Sequence, residues 1–200
     1  MISVHLEHRL NDYETWFETF KSAPVRAEIE REYGLKASRV LQNADDPNHC
    51  YVAVEAPDSG TFKAFWGDAR MLSALEERST LFTTPPQVSG MYNPYDVEGP
   101  NGNSLGVLVE HHLNDFEAWF AIFKEGAARK PVQSELGMTA VRVLEDIDNK
   151  NRCIAAWSVP NVEAFDKFRD DPRSAAQLEK LSDHFIEMPK KIGTFHIHQL

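Results

Sequence analysis

Only two cysteines stand in 200 residues, Cys50 and Cys153, each far in sequence from the other. A disulfide framework, a Cys-x-x-Cys redox pair and a zinc site are therefore unsupported, and two free buried thiols are expected. The chain lacks any apolar run near the roughly 18 residues that cross a bilayer. Its opening residues, Met1 to His8, have neither a basic region nor an apolar core of signal-peptide length. A cytoplasmic address and no membrane partner are the expectations. Positive charge is scarce: 21 basic against 31 acidic residues give a formal charge of −10 without any basic cluster, which argues against nucleic acid as a partner. No Gly-rich phosphate loop, Gly-x-Ser-x-Gly elbow or His-Glu-x-x-His motif occurs, so nucleotide binding, serine hydrolysis of that type and zincin chemistry have no footing. What remains, 42% hydrophobic and 26% charged, is the composition of a globular protein.

Within it lies an internal repeat. At an offset of 103 residues, the eleven residues from Glu7 to Phe17 (EHRLNDYETWF) fall on Glu110 to Phe120 (EHHLNDFEAWF). The same ungapped register puts Gly34 on Gly137, Arg39-Val40-Leu41 on Arg142-Val143-Leu144, Cys50 on Cys153, Phe62 and Phe65 on Phe165 and Phe168, and Gly90 on Gly193. About a third of the aligned positions are identical. Pro94 to Ser104, rich in Pro, Gly and Asn, reads as a linker. The expected organisation is unit 1 over 1–93, a linker over 94–104 and unit 2 over 105–200.

Each copy tests the other. Val4, Leu6 and His8 alternate with His5, Glu7 and Arg9, the period of a strand, and Val107, Val109 and His111 repeat the pattern. Asn11 or Asp12, with Glu14, starts a helix in capping-box fashion, as do their equivalents Asn114, Asp115 and Glu117. Tyr13, Trp16, Phe17 and Phe20 lie on one helical face, echoed by Phe116, Trp119, Phe120 and Phe123, and Gly34 and Gly137 suit a left-handed helix end. Two strands around Asp45–Asn48, or Asp148–Asn151, then form a hairpin. A helix in two pieces and a closing strand complete a β-α-β-β-α-β unit, the ferredoxin-like order. The expected fold class is α+β: two tandem ferredoxin-like units forming an internal pseudo-dimer, with a homodimer of whole chains left open.

The motif Glu-His-x-Leu-Asn-Asp-Phe/Tyr-Glu-x-Trp-Phe, the later Arg-Val-Leu before an Asp/Asn turn, and this topology resemble the dimeric α+β barrel superfamily, particularly its antibiotic biosynthesis monooxygenase-like branch. The resemblance covers both copies. It implies a barrel fold and a small-molecule ligand, and its range includes cofactor-independent oxygenases of phenolic compounds, haem-degrading enzymes, isomerases and members without known activity.

Four side chains are candidates for catalysis. His8 and His111 fall on the apolar face of the first strand in both copies, where a neutral imidazole could serve as a general base toward a phenol or enol. The alternative is a histidine that only satisfies nearby backbone. Arg39 and Arg142 share strand parity with Leu41 and Leu144, so on the helix-covered face they would hold an oxyanion or carboxylate. Otherwise each forms an ion pair with Glu7 or Asp12, or their counterparts. The aromatic stripe from Trp16 or Trp119 would wall a flat ligand or simply fill the core. No metal and no cofactor are expected. His196 and His198 should sit near Leu105 to Leu108, away from Glu110 and His112, and His184, the one candidate haem ligand, is Leu81 in the first copy. Two differences between copies, Arg9 against His112 and Val54 against Trp157, bear on whether both units keep a site. The expected function is a cofactor-independent monooxygenase acting on a phenolic or enolic substrate; the alternative is a non-catalytic ligand-binding or interaction module.

Overall fold

In the computed structural model, which describes residues 1–99 and 101–200, the chain divides into two compact units: Met1–Tyr92 with His196–Leu200, and Asn93–Phe195. Pro100, within the expected linker, lies outside the described residues.

Unit 1 opens with β1 (Ile2–Leu10). Asp12 ends it and caps α1 (Tyr13–Ser22) by accepting the Thr15 N–H at 2.8 Å; loss of such a cap costs about 1 kcal/mol. Where one helix was expected up to Gly34 there are two. Pro24 has no N–H to continue α1 and instead begins α2 (Pro24–Tyr33), which Gly34 closes at φ +67°. β2 (Lys36–Asn43) and β3 (His49–Ala56) make the antiparallel hairpin, and α3 (Ser59–Trp66), α4 (Ala69–Glu77) and a 3-10 turn lead into β4 (Phe82–Asp96). Unit 2 repeats this as β5 (Leu105–Leu113), α5 (Phe116–Glu125), α6 (Arg129–Glu135), β6 (Thr139–Asp146), β7 (Arg152–Val159), α7 (Val162–Asp170), α8 (Pro172–Lys180) and β8 (Phe185–Gln199).

Both units are α+β and ferredoxin-like. The strand order is β4-β1-β3-β2 in unit 1, with the end of β8 beside β2, and β8-β5-β7-β6 in unit 2, with the end of β4 beside β6. The register sets Val4 opposite Val54 and His8 opposite Cys50, and correspondingly Val107 opposite Trp157 and His111 opposite Cys153. In each unit, alternate strand residues pack with the aromatic stripe of the first helix. Val4, Leu6, Val40, Val52 and Trp16 share one core; Val107, Val109, Val143, Ala155 and Trp119 share the other.

Two features depart from expectation. β4 and β8 each run for 15 residues beside neighbours of nine, so their ends outreach those partners. Pro94, Tyr95 and Asp96 are thus strand residues, and the Tyr95 hydroxyl donates to Glu145 at 2.9 Å. His198 lies in unit 1 rather than near Leu105 to Leu108, its ring 5.3 Å from Phe17 and 5.8 Å from Tyr13. The second feature is a bulge: the ladder skips Ser38 between Ala37 and Arg39, and Val141 between Ala140 and Arg142. A bulge inserts one residue and re-aims those beyond it.

Candidate functional site

His8 and His111 stand at the same place in their units, near the end of the first strand and beneath the first helix. Each is buried, and each directs its ring Nδ1 to a carbonyl two residues back, Leu6 at 3.0 Å and Val109 at 3.1 Å. A carbonyl only accepts, so Nδ1 carries the proton and Nε2 keeps its lone pair. Burial pulls both rings down to about 4, against the weaker opposing effect of that carbonyl. The rings lie 5.0 Å from Trp16 and 4.8 Å from Trp119.

The surroundings of the two histidines differ. His8 borders a space of about 70 Å³, enough for a few waters. His111 borders a cavity of about 320 Å³ between the sheet and helices of unit 2, within the size range of small-ligand pockets. Trp119, Phe123, Trp157, Phe165 and Phe168 wall it. Trp157 packs 5.0 Å from Phe168 and edge-on to Phe123 at 5.9 Å. The extra volume traces to substitutions between the copies: the positions of Trp66 and Met71, which line the small space in unit 1, hold Arg169 and Ser174 in unit 2.

Arg39 and Arg142 line neither space. Leu41 and Leu144, whose parity the arginines share, belong to neither helix-side core. Val40 and Val143 take the helix-covered face, and the arginines, of the opposite parity, turn away from it. Arg142 Nε donates to Asp96 at 2.7 Å, not to a counterpart of Glu7 or Asp12. Arg39 flanks Ala53 across from His5, whose pKa falls to about 4 mainly by burial and secondarily through the Arg39 charge. The structure therefore does not bring the four predicted side chains together. Asn11 and Asn114 do more than adjoin the caps: their amides donate to the carbonyls of Thr80 and Asp183, tying the start of the first helix to the turn before the last strand.

Of the cations lining the unit 2 cavity, Arg129 is the buried one. It pairs with Glu98 at 3.0 Å, donates to Gln133 and to the Phe123 carbonyl at 2.9 Å, and lies over the Phe123 ring at 4.6 Å. Burial lowers its pKa. Its counterpart Arg26 lies over Phe20 at 4.1 Å, so the retained Arg26/Arg129 pair was visible in the repeat. Arg129 Nε, Trp157 Nε1, Ser174 Oγ and Gln177 Oε1, all on residues lining this cavity, are buried without hydrogen-bond partners. Each such group costs about 1–3 kcal/mol, which a polar ligand would offset. Among the described residues no cluster of His, Cys, Asp and Glu could hold a metal ion, and no helix is long and apolar enough to cross a membrane.

An anthrone oxidase-like protein superposes with a TM-score of 0.59 at 11% identity, over 100% of this chain and 92% of that one. A ferredoxin-fold protein from Listeria monocytogenes related to antibiotic biosynthesis monooxygenases gives 0.52 at 12% identity, over 100% and 96%. What is shared is the fold, two α+β units of ferredoxin-like order. A monooxygenase-like protein of Listeria innocua, at a TM-score of 0.53 and 10% identity over 98% and 93%, shares it too. No family model and no curated protein matches the sequence. At these identities the likeness lies in the fold, and chemistry has to be read from the cavity itself. There, unit 2 brings a buried imidazole with a lone pair on Nε2, aromatic walls and unpartnered polar atoms to one space.

Proposed function

We propose that the protein is a cytoplasmic small-molecule enzyme of the antibiotic biosynthesis monooxygenase-like kind. It acts without a cofactor on a phenolic or enolic substrate, and the work is done in unit 2. The observation that carries this reading is the 320 Å³ cavity with His111 on its wall. Trp119, Phe123 and Trp157 hold the ring system, and His111 Nε2 accepts a proton as negative charge develops on the substrate. The electron-rich carbon then bonds to dioxygen. Protonation gives a hydroperoxide, and loss of the remaining C–H proton breaks the O–O bond, so that a methylene group and one dioxygen become a ketone and one water. Substrate supplies all four electrons. The aromatic walls exclude water from the anion.

Unit 1 suits the other reading, a packed module, because Trp66 and Met71 leave His8 only about 70 Å³. The test is oxygen uptake with hydroxylated aromatic ketones and anthrone-type compounds. Wild type and His8→Gln should consume oxygen alike, and His111→Gln should lose at least the roughly hundredfold that a general base contributes. Uptake unaffected by His111→Gln would reject the assignment.

A further inference from the structure

The repeat supplies an internal control on the opening of the unit 2 cavity. Arg169 and Lys191 line it and are exposed, so they stand where it meets solvent. The equivalent positions in unit 1 are Trp66 and Val88. Ala74 becomes Gln177, and Glu30, which lines the unit 1 space and pairs with Arg26 at 2.6 Å, becomes the neutral Gln133. The result is a cavity lined by three cations, Arg129, Arg169 and Lys191, and by no carboxylate. The unit 1 space has two cations, Arg26 and Arg78, and one carboxylate. In a chain of net charge −10, one of two related cavities has gained cations and shed its acid.

We infer that the unit 2 cavity takes an anionic aromatic ligand, its flat body between Trp119, Trp157 and Phe168 and its carboxylate at Arg169 and Lys191. The inference rests on reading this cavity as the substrate site. Arg129 is not the anchor. Its Nη atoms are engaged by Glu98, Gln133 and the Phe123 carbonyl, so it forms part of the wall. Arg169 pairs with Asp166 at 3.3 Å and Asp170 at 2.9 Å, but exposed pairs of this kind are weak and exchange readily with a ligand. Lys191 is in none of the ion pairs among the described residues. A carboxylate there would also favour the protonated form of the His111 ring, strengthening it as a base when substrate is bound.

Titration calorimetry with 1-hydroxy-2-naphthoate and its neutral isostere 1-hydroxy-2-naphthamide tests this on the whole chain. The acid should bind about tenfold tighter than the amide. That preference should vanish in the Arg169→Gln, Lys191→Gln double variant, shrink as salt is raised, and persist in Arg78→Gln. Equal affinity for the two compounds, no binding of either, or a preference indifferent to the double variant would overturn the inference. Because both replaced side chains are exposed, unchanged thermal unfolding of the double variant confirms an intact fold. Oxygen uptake run in parallel separates the two proposals. Selective binding of the acid without uptake by any hydroxylated aromatic keeps the anion site and rejects the oxygenase; equal turnover of acid and amide does the reverse.

Discussion

Glu98 lies 3.0 Å from the guanidinium of Arg129, and Gln133 occupies the position from which, in unit 1, Glu30 pairs with the equivalent Arg26. A carboxylate that is one helical turn away in one copy comes from the segment before β5 in the other. Glu98→Gln should therefore leave a buried cation without its acid, at a cost of about 3 kcal/mol. Gln133→Glu added to that variant recreates the arrangement of unit 1 and should recover most of the loss. Urea unfolding of the two variants and wild type measures both; no recovery in the double variant would count against the exchange of partners.

The topology was legible because hydrophobic period, caps and turns agree in two drifted copies. Trp16, Asp12 and Gly34 play their expected parts, as do Trp119, Asp115 and Gly137. The histidines were legible too, since β1 and β5 are regular and parity counts correctly along them. The arginines were not. They share a face with Leu41 and Leu144 as counted, but those leucines are buried outside the helix-side cores that Val40 and Val143 join, and burial on both faces of a sheet leaves an apolar neighbour unable to tell which face the helices cover. The cavity was hidden for another reason: Arg169 comes from α7, Ser174 and Gln177 from α8 and Lys191 from β8, and only tertiary packing brings the three elements to one space.

Stability should fall in mild acid. His5, His8 and His111 have pKa values near 4 in the folded chain, chiefly through burial, against 6.5 for an open histidine. Above pH 6.5 both folded and unfolded forms are neutral, and the fold has its full stability. Between 6.5 and 4 the unfolded chain binds protons that the folded one refuses, so stability drops as pH falls through that window, by on the order of 3 kcal/mol per histidine. Urea midpoints measured from neutral pH to about pH 4.5 should fall steeply. His8→Gln should flatten the slope, and a profile as steep as wild type would mean that His8 is not held neutral.

Gly126 ends α5 at φ +61°, and a methyl group there would sit 2.6 Å from Arg129 Nη2. Its equivalent in unit 1 is Ala23, at an ordinary φ of −69°. Gly126→Ala should thus cost about 1–2 kcal/mol from backbone strain alone, with more from displacing the guanidinium. Ala23→Gly in unit 1 should cost less than this. Thermal unfolding of the two variants would show whether the break between the helices is built differently in the two copies.

The decisive variant for the cavity borrows a residue from unit 1. Ser174→Met installs the side chain that Met71 presents to the small space, and it replaces a hydroxyl buried without a partner. Removing that orphan and filling apolar volume both favour the folded state, so stability should hold or rise. Ligand binding and oxygen uptake should fall together, because the thioether occupies the space that the aromatic body needs. Met71→Ser in unit 1 should have the opposite cost: it removes a buried side chain, destabilising by about 2 kcal/mol or more, and leaves uptake unchanged. If Ser174→Met keeps full activity while Met71→Ser abolishes it in a folded protein, the chemistry belongs beside His8, and the larger cavity beside His111 serves another purpose.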